Sequence, residues 1–140
     1  MRLGELALVA VGGAAGSLCR WLAVQALLAT GAPPWACTAT VNVVGAAGCG
    51  LLAGAWMQRA GAGWRWRGDR VGAELLLVGG FFGGLTTLST LADDAAVLWL
   101  RGDARTAILD LALHAILGCF ACASGFLLAR RWLRGRYSTP

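Results

Sequence analysis

Four long apolar stretches, separated by short polar or turn-forming segments, account for most of the chain. Each is longer than the roughly 20 residues that an α-helix needs to cross a bilayer. They cover residues about 3–29, 35–57, 71–100 and 104–133. The pattern therefore predicts an all-α membrane protein, a single domain over residues 1–140 with four transmembrane helices. Because the connections are short, we expect the helices to be antiparallel neighbours.

The composition supports this prediction. Hydrophobic residues make up 58% of the chain and charged residues only 14%, and the mean hydropathy is +0.66. A soluble domain usually carries about a quarter charged residues, so a soluble fold is excluded. The net charge of +5 comes from 12 basic residues, all arginine, against seven acidic ones. Most arginines stand at the ends of the apolar stretches, which indicates a membrane protein and not a nucleic-acid surface.

The arginines are unequally distributed between the two predicted sides of the membrane. The side with both termini and the second connection has nine: Arg2, Arg59, Arg65, Arg67, Arg70, Arg130, Arg131, Arg134 and Arg136. The other side has two, Arg101 and Arg105. Because basic residues are enriched on the cytoplasmic side, we expect a multi-pass protein of the cell (inner) membrane with both termini in the cytoplasm.

The cysteines and the first apolar stretch indicate no further chemistry. The five cysteines all lie within apolar stretches: Cys19, Cys37, Cys49, Cys119 and Cys122. There a free thiol behaves as a small apolar side chain, so neither a metal site nor a redox pair is indicated. The first stretch has no small-residue cleavage site followed by a hydrophilic chain, so we expect a permanent helix and not a signal peptide.

The third apolar stretch contains a feature that weakens a helix. Four of the six residues 79–84 are glycine, and four hydroxyl side chains follow: Thr86, Thr87, Ser89 and Thr90. Glycine destabilises a helix interior, and no water is present at that depth to satisfy freed backbone groups. We therefore predict a broken third helix, whose carbonyls and hydroxyls could hold an ion. The alternative is a kinked helix packed through its small residues.

Three motifs give the sequence a resemblance to the Fluc (CrcB) fluoride channels. They are GGAAGSLCR over residues 12–20, Thr38-x-x-x-Asn42-x-x-Gly45, and GFFGGLTTLST over residues 80–90. The resemblance extends from residue 12 to about residue 125. It implies an antiparallel dimer with two fluoride pores that exports fluoride passively. It also implies a structural sodium ion at the dimer centre, held here by the carbonyls of Gly83 and Thr86.

The chemistry of fluoride agrees with this resemblance. Fluoride is small and strongly hydrated, so a pore must replace its water shell with hydrogen-bond donors. We expect the Asn42 amide to be the principal donor, with the hydroxyls of Thr87, Ser89 and Thr90 along the same pathway. The alternative for Asn42 is an interhelical hydrogen bond that serves packing alone.

The sequence departs from the family pattern at two pore positions. The family places phenylalanines where this chain has Leu88 and Leu91. An alkyl side chain has no aromatic ring edge to offer an anion, so the pathway that uses these side chains is expected to be altered.

The fourth apolar stretch departs as well. Asp110 and the single histidine, His114, lie four residues apart on one helix face, where the family usually has tyrosine and serine. Ionisable groups within a membrane are candidates for function, and a structural pair is the alternative. Arg20 and Asp94 are further candidates, as a vestibule or structural charge pair.

The arginine bias leaves two possible partners for the dimer, a second copy of this chain or a homologue. An antiparallel homodimer requires insertion in both orientations, whereas nine against two favours one. The alternative to a homodimer is therefore a heterodimer with a homologue of opposite orientation. A third possibility is a small proton-coupled exporter, for which Asp110 would be the embedded carboxylate. No nucleophile, base and orienting group are assembled, so we do not expect an enzyme.

Overall fold

The protein is described here from a computed structural model, which covers the backbone of residues 2–61 and 68–137 and the side chains of residues 2–57 and 71–134. Its helices are α1 (Leu3–Ala29), α2 (Pro34–Gly61), α3 (Gly68–Glu74), a π-helix (Leu75–Phe82), α4 (Gly83–Leu85), α5 (Leu88–Leu100) and α6 (Ala104–Tyr137). The described residues contain no strand. Arg65 and Arg67 of the predicted cytoplasmic side lie outside the described residues, and Arg59, Arg70 and Arg136 lie outside the described side chains.

Four segments are long and apolar enough to cross a membrane: Leu3–Ala29, Pro34–Met57, Val71–Leu100 and Ala104–Arg134. We call them the first to fourth spans. The third span is assembled from part of α3, the π-helix, α4 and α5. The predicted all-α membrane fold with a broken third helix is thus confirmed.

Glycines at the turns explain where α1 and α5 end, and a capping aspartate explains where α6 begins. Gly31 and Gly102 have φ angles of +86° and +82°, a conformation that glycine adopts readily. Asp103 then accepts a hydrogen bond from the Thr106 amide at 3.1 Å and caps α6. Hydrogen bonds from the side chain and then the backbone of Thr106 lower the pKa of this exposed carboxyl, so Asp103 stays charged at a helix N-terminus.

The main helix contacts do not join consecutive spans. α1 packs most extensively on the π-helix and α4, and α2 packs on α6. Gly50 of α2 lies next to Cys122 of α6, and Gly54 lies next to Phe126. The residue numbers of the contacts increase in the same direction along both helices, so α2 and α6 are parallel. The expectation of consecutive antiparallel neighbours was therefore wrong for the principal packing pairs, because small residues let the first and third and the second and fourth spans approach most closely.

Candidate functional site

The third span breaks at Thr86 and Thr87, which we call the break. Both residues have extended backbones, with φ and ψ of −83° and 155° at Thr86 and −149° and 119° at Thr87. The glycine-rich segment before them stays helical, but it widens into a π-helix over Leu75–Phe82. The break therefore lies just after the glycines and near the middle of the third span.

Asn42 of α2 holds the break through both of its polar atoms. Its Nδ2 donates to the Thr87 carbonyl at 3.0 Å, and its Oδ1 accepts from the Thr87 amide at 2.8 Å. In a continuous helix that amide would donate to the carbonyl of Gly83. The Asn42 side chain thus replaces the missing helical partner and satisfies the backbone amide and carbonyl of Thr87 within the span.

Hydroxyl groups complete the hydrogen bonding at the break. Thr86 Oγ1 donates to the Phe82 carbonyl at 2.8 Å, and Thr87 Oγ1 accepts from the Thr90 amide at 3.1 Å and so caps α5. Thr87 Oγ1 also lies 3.2 Å from Ser89 Oγ and 3.0 Å from Thr90 Oγ1. The three hydroxyls form one cluster at the N-terminus of α5.

The break releases the two carbonyls that the family resemblance assigns to sodium. The Gly83 carbonyl loses its helical donor to Asn42, and the Thr86 carbonyl loses its donor because the Thr90 amide caps α5 instead. Arg20 Nη1 of α1 lies 3.5 Å from the Thr86 carbonyl. The chain therefore presents two carbonyl oxygens that its own helices do not use.

Two cavities flank the break, and Thr87 lines both. The Arg20 cavity has a volume of about 310 Å³ and is lined by Ser17, Arg20, Trp21, Val24, Pro34, Thr38, Val41, Thr87, Thr90 and Asp94. The His114 cavity has a volume of about 420 Å³ and is lined by Asn42, Ala46, Thr86, Thr87, Leu88, Leu91, Leu111, His114, Ala115 and Gly118. Of the predicted anion pathway, Ser89 lines neither cavity and Thr90 lines only the first.

The two leucines that replace phenylalanine in the family pattern have different surroundings. Leu88 is 79% exposed, whereas Leu91 is only 8% exposed and packs within the chain. Both line the His114 cavity. The position of Leu88 therefore leaves its side chain available to whatever covers this face.

Asp110 and His114 are brought together, as the sequence predicted. His114 Nδ1 lies 3.1 Å from Asp110 Oδ1 and 2.9 Å from the Asp110 carbonyl. Asp110 is the larger of the two fully buried side chains among the described residues, at 1% exposure, and His114 is 9% exposed. His114 Nε2 and both carboxylate oxygens of Asp110 have no hydrogen-bond partner within the described part of the chain, so Nδ1 hydrogen-bonds the Asp110 carbonyl and only approaches Oδ1.

The second expected charge pair is not formed. Arg20 and Asp94 line the same cavity, but in the described side chains no ion pair joins them. Asp94 Oδ2 instead accepts from Thr38 Oγ1 at 2.6 Å, while Arg20 approaches the Thr86 carbonyl. Each charge meets a neutral group on another span, which is an alternative to direct pairing for a partly buried charge.

Sequence reasoning gave no role to two residues at this site, Thr38 and Ser17. Thr38 is 5% exposed and bonds Asp94, and Ser17 Oγ donates to the Gly84 carbonyl at 3.4 Å. A signal was present for Thr38, which precedes Asn42 by four residues and so shares its helix face. Ser17 similarly follows Gly13, on the face that meets α4.

The fold and this site define a small multi-pass membrane protein with buried polar groups of the kind that line ion pathways. The chain matches the family model described as CrcB-like protein, Camphor Resistance (CrcB), over residues 7–126. It therefore belongs to the CrcB family, and the resemblance drawn from the motifs is confirmed.

Relatives of the chain include proteins named fluoride-specific ion channel FluC. The one from Sphingopyxis alaskensis is 37% identical over 126 residues, which are 88% of this chain and 93% of that protein. The one from Maridesulfovibrio salexigens is 36% identical over 126 residues, 88% and 92% of the two chains. The one from Phenylobacterium zucineum is 41% identical over 132 residues, 90% and 95% of the two chains.

Proposed function

We propose that this protein is a subunit of a fluoride channel of the cell membrane, which lets fluoride leave the cytoplasm down its own gradient. The observation that carries the proposal is the break near mid-membrane, clamped by Asn42 and bordered by two cavities. Family membership and the names of the relatives support fluoride as the ion. Conduction through such a site needs donors and a path, and no catalytic groups.

The anion donors of this proposal are amide and hydroxyl hydrogens. Asn42 Nδ2 carries two hydrogens, of which the Thr87 carbonyl takes one, so one is left for the His114 cavity. Thr87 contributes its hydroxyl to the same cavity wall. Leu88, Leu91 and His114 form the rest of the wall that we assign to the fluoride pathway.

We further propose that the released carbonyls of Gly83 and Thr86 hold a structural sodium ion that is not transported. Carbonyl oxygens suit a hard cation, and both of these have lost their helical donors, so the Arg20 guanidinium near the Thr86 carbonyl would have to move away when the ion binds. Two carbonyls are too few to replace a hydration shell, so a second chain would have to supply the others. A fixed positive charge there would favour an anion nearby.

A second subunit also follows from the polar surface beside the break. Ser89 and Thr90 are exposed near mid-membrane, where hydroxyl groups facing lipid are unfavourable. An antiparallel copy of the same fold would cover them and add a second pair of carbonyls. The proposed assembly is therefore an antiparallel dimer with the break at its centre.

A flux measurement on liposomes tests the proposed function. Liposomes that contain the purified protein and potassium fluoride, with valinomycin to carry the balancing charge, should release fluoride at least about tenfold faster than protein-free liposomes, because a donor-lined path replaces direct permeation of the bilayer. Liposomes loaded with potassium chloride are the matched control and should show no comparable release. Fluoride release at the protein-free rate, from this chain and from its co-expressed mixture with a homologue, would contradict the proposal.

A heterodimer is the second candidate, and the arginine distribution favours it. Arg2, Arg130, Arg131 and Arg134 lie at the end of the molecule where α1 begins and α6 finishes, and Arg101 and Arg105 at the opposite end. This bias of nine arginines against two over the whole sequence favours a single orientation with cytoplasmic termini. An antiparallel partner would then be a homologue that inserts the other way.

Co-expression with an oppositely biased homologue tests this candidate. If the heterodimer is the functional form, an affinity tag on one chain should recover both in equal amounts, and the chain expressed alone should give monomer or aggregate. A matched control is the same chain with Arg130 and Arg131 changed to glutamine, which weakens the bias and should increase self-assembly. Recovery of a conducting dimer from the wild-type chain alone would contradict the heterodimer and leave the homodimer.

A further inference from the structure

The buried Asp110–His114 pair has hydrogen-bonding capacity that the proposed channel leaves unused. His114 is more than nine-tenths buried, and its Nε2 has no hydrogen-bond partner within the described part of the chain. The residue lines the His114 cavity together with Asn42 and Thr87. A buried polar atom without a partner calls for an explanation, and a role in binding a ligand is one.

The contacts of the imidazole determine what its free nitrogen offers to an anion. Nδ1 faces two acceptors, the Asp110 carbonyl and carboxylate, so Nδ1 carries a hydrogen in either protonation state. Nε2 therefore carries a lone pair when the ring is neutral and a hydrogen when the ring is protonated. Fluoride only accepts hydrogen bonds, so Nε2 can bind it only in the protonated ring.

The charge of the pair acts in the same direction. A neutral imidazole beside an ionised Asp110 leaves one uncompensated negative charge next to the cavity, which repels an anion. One added proton brings the net charge of the pair to zero and converts Nε2 into a donor. The same proton thus removes a repulsion and creates a hydrogen bond.

The groups on the neighbouring helices do not supply this proton switch. α5 contributes Asp94, whose carboxylate accepts from Thr38. α2 contributes Thr38 and Asn42, which do not titrate, and two thiols. Cys37 faces the Ala32 carbonyl at 3.9 Å, and Cys49 precedes Gly50, which packs on Cys122 about two turns along α6 from His114. Asp94 adds further negative charge, which increases the need for a proton before an anion can enter.

We infer that His114, partnered by Asp110, is a proton-controlled fluoride donor, so that fluoride passes through the His114 cavity when one proton is bound to the pair. This inference rests on the proposed fluoride channel and adds its regulation. It makes the channel more active on acidification, without any proton having to cross the membrane with the ion.

Fluoride release from liposomes at matched internal and external pH, between pH 6 and pH 8, tests the inference. For a one-proton requirement, release should fall by up to about tenfold per pH unit above the transition. His114→Gln keeps an N–H donor but does not titrate, so its release should be independent of pH. Asp93→Asn, which removes an exposed carboxylate elsewhere, is the matched control and should keep the wild-type pH profile.

Because His114 is the only histidine, one imidazole NMR signal gives a second readout that does not depend on flux. In protein labelled with 15N-histidine and purified without a histidine tag, fluoride added at constant pH should increase the protonated fraction of the ring, whereas chloride should not.

Fluoride release that is fast but independent of pH, or an imidazole signal that fluoride leaves unchanged, would overturn the inference while the channel itself stands. Fluoride driven uphill by a pH gradient would overturn it in favour of a proton-coupled exporter. Absence of release at every pH would overturn the proposed function instead.

Discussion

Asn42→Leu is expected to reduce fluoride release by at least about 100-fold. A hydrogen bond to a charged group contributes about 1.5–3 kcal/mol, and the change also removes the hydrogen bonds that hold the Thr87 backbone in place. Leucine is close to asparagine in size and has no polar atoms. The variant therefore loses both hydrogen bonds to Thr87 and the spare Nδ2 hydrogen that we assign to fluoride. It leaves the Thr87 amide and carbonyl without partners where no water can replace them.

A second variant separates the two consequences. Asn42→Asp keeps an acceptor for the Thr87 amide but has no N–H donor and adds a negative charge to the cavity wall. We expect it to remain assembled, as judged by size-exclusion chromatography, and to release fluoride as poorly as Asn42→Leu. Loss of release in the leucine variant alone would mean that Asn42 serves the break and not the anion.

Thr40→Val provides the matched control on the same helix. Thr40 Oγ1 donates to the Ala36 carbonyl of its own helix at 2.8 Å, and its side chain is exposed outside both cavities. This substitution also removes a polar group from α2, yet we expect release within about twofold of the wild type, because an exposed intrahelical hydrogen bond contributes little net stability. Equal losses at positions 40 and 42 would contradict the role of Asn42.

The fold could be predicted closely because it depends on long patterns. Four apolar stretches, each longer than a bilayer requires, place the spans within a few residues of the helices observed. The break could be placed only within the glycine and hydroxyl segment. Glycine lowers helix stability, but residues 79–82 are still helical, as part of the π-helix. The helix is interrupted only four residues later, where the Asn42 side chain hydrogen-bonds the backbone.

The polar partners at the site were less predictable, since they depend on which spans pack together. Periodicity within one helix put Asp110 next to His114, and this prediction agrees with the structure. Pairing across helices needs the contacts between the first and third and the second and fourth spans. Without them, Arg20 was matched by charge to Asp94, although Arg20 meets a carbonyl and Asp94 meets Thr38.

Leu88 and Leu91 both replace a phenylalanine of the family pattern, but the structure gives the two side chains different surroundings. Leu91 is buried by its own chain and borders the His114 cavity, so a phenylalanine there would have to extend into that cavity or displace its neighbours. Leu88 projects from the protein next to the break. The replacement at position 88 therefore changes the surface that a second subunit or an anion would contact more than the replacement at position 91 does.

Gly16→Ala is expected to lower the thermal stability strongly, because Gly16 lies in the close contact between α1 and the third span. A Cβ atom at Gly16 would overlap the Phe81 carbonyl oxygen and lie 2.9 Å from the Leu85 amide nitrogen. Both are backbone atoms, so no rotamer change can relieve the overlap, and the two helices must separate. Overpacking usually costs about 1–3 kcal/mol, and we expect the upper end here. That corresponds to a midpoint for thermal unfolding in detergent lower by roughly 10 °C.

Gly13→Ala is a matched control, since it makes the same change three residues earlier on α1. A Cβ atom there would have as its nearest neighbour the Gly80 carbonyl oxygen, at 3.9 Å, which is ordinary van der Waals contact. We expect its unfolding midpoint to lie near that of the wild type. Since Phe81 and Leu85 lead into the break, Gly16→Ala should also reduce fluoride release from protein that remains folded at low temperature, whereas Gly13→Ala should not. Equal midpoints for the two variants would show that the α1 contact does not fix the position of the break.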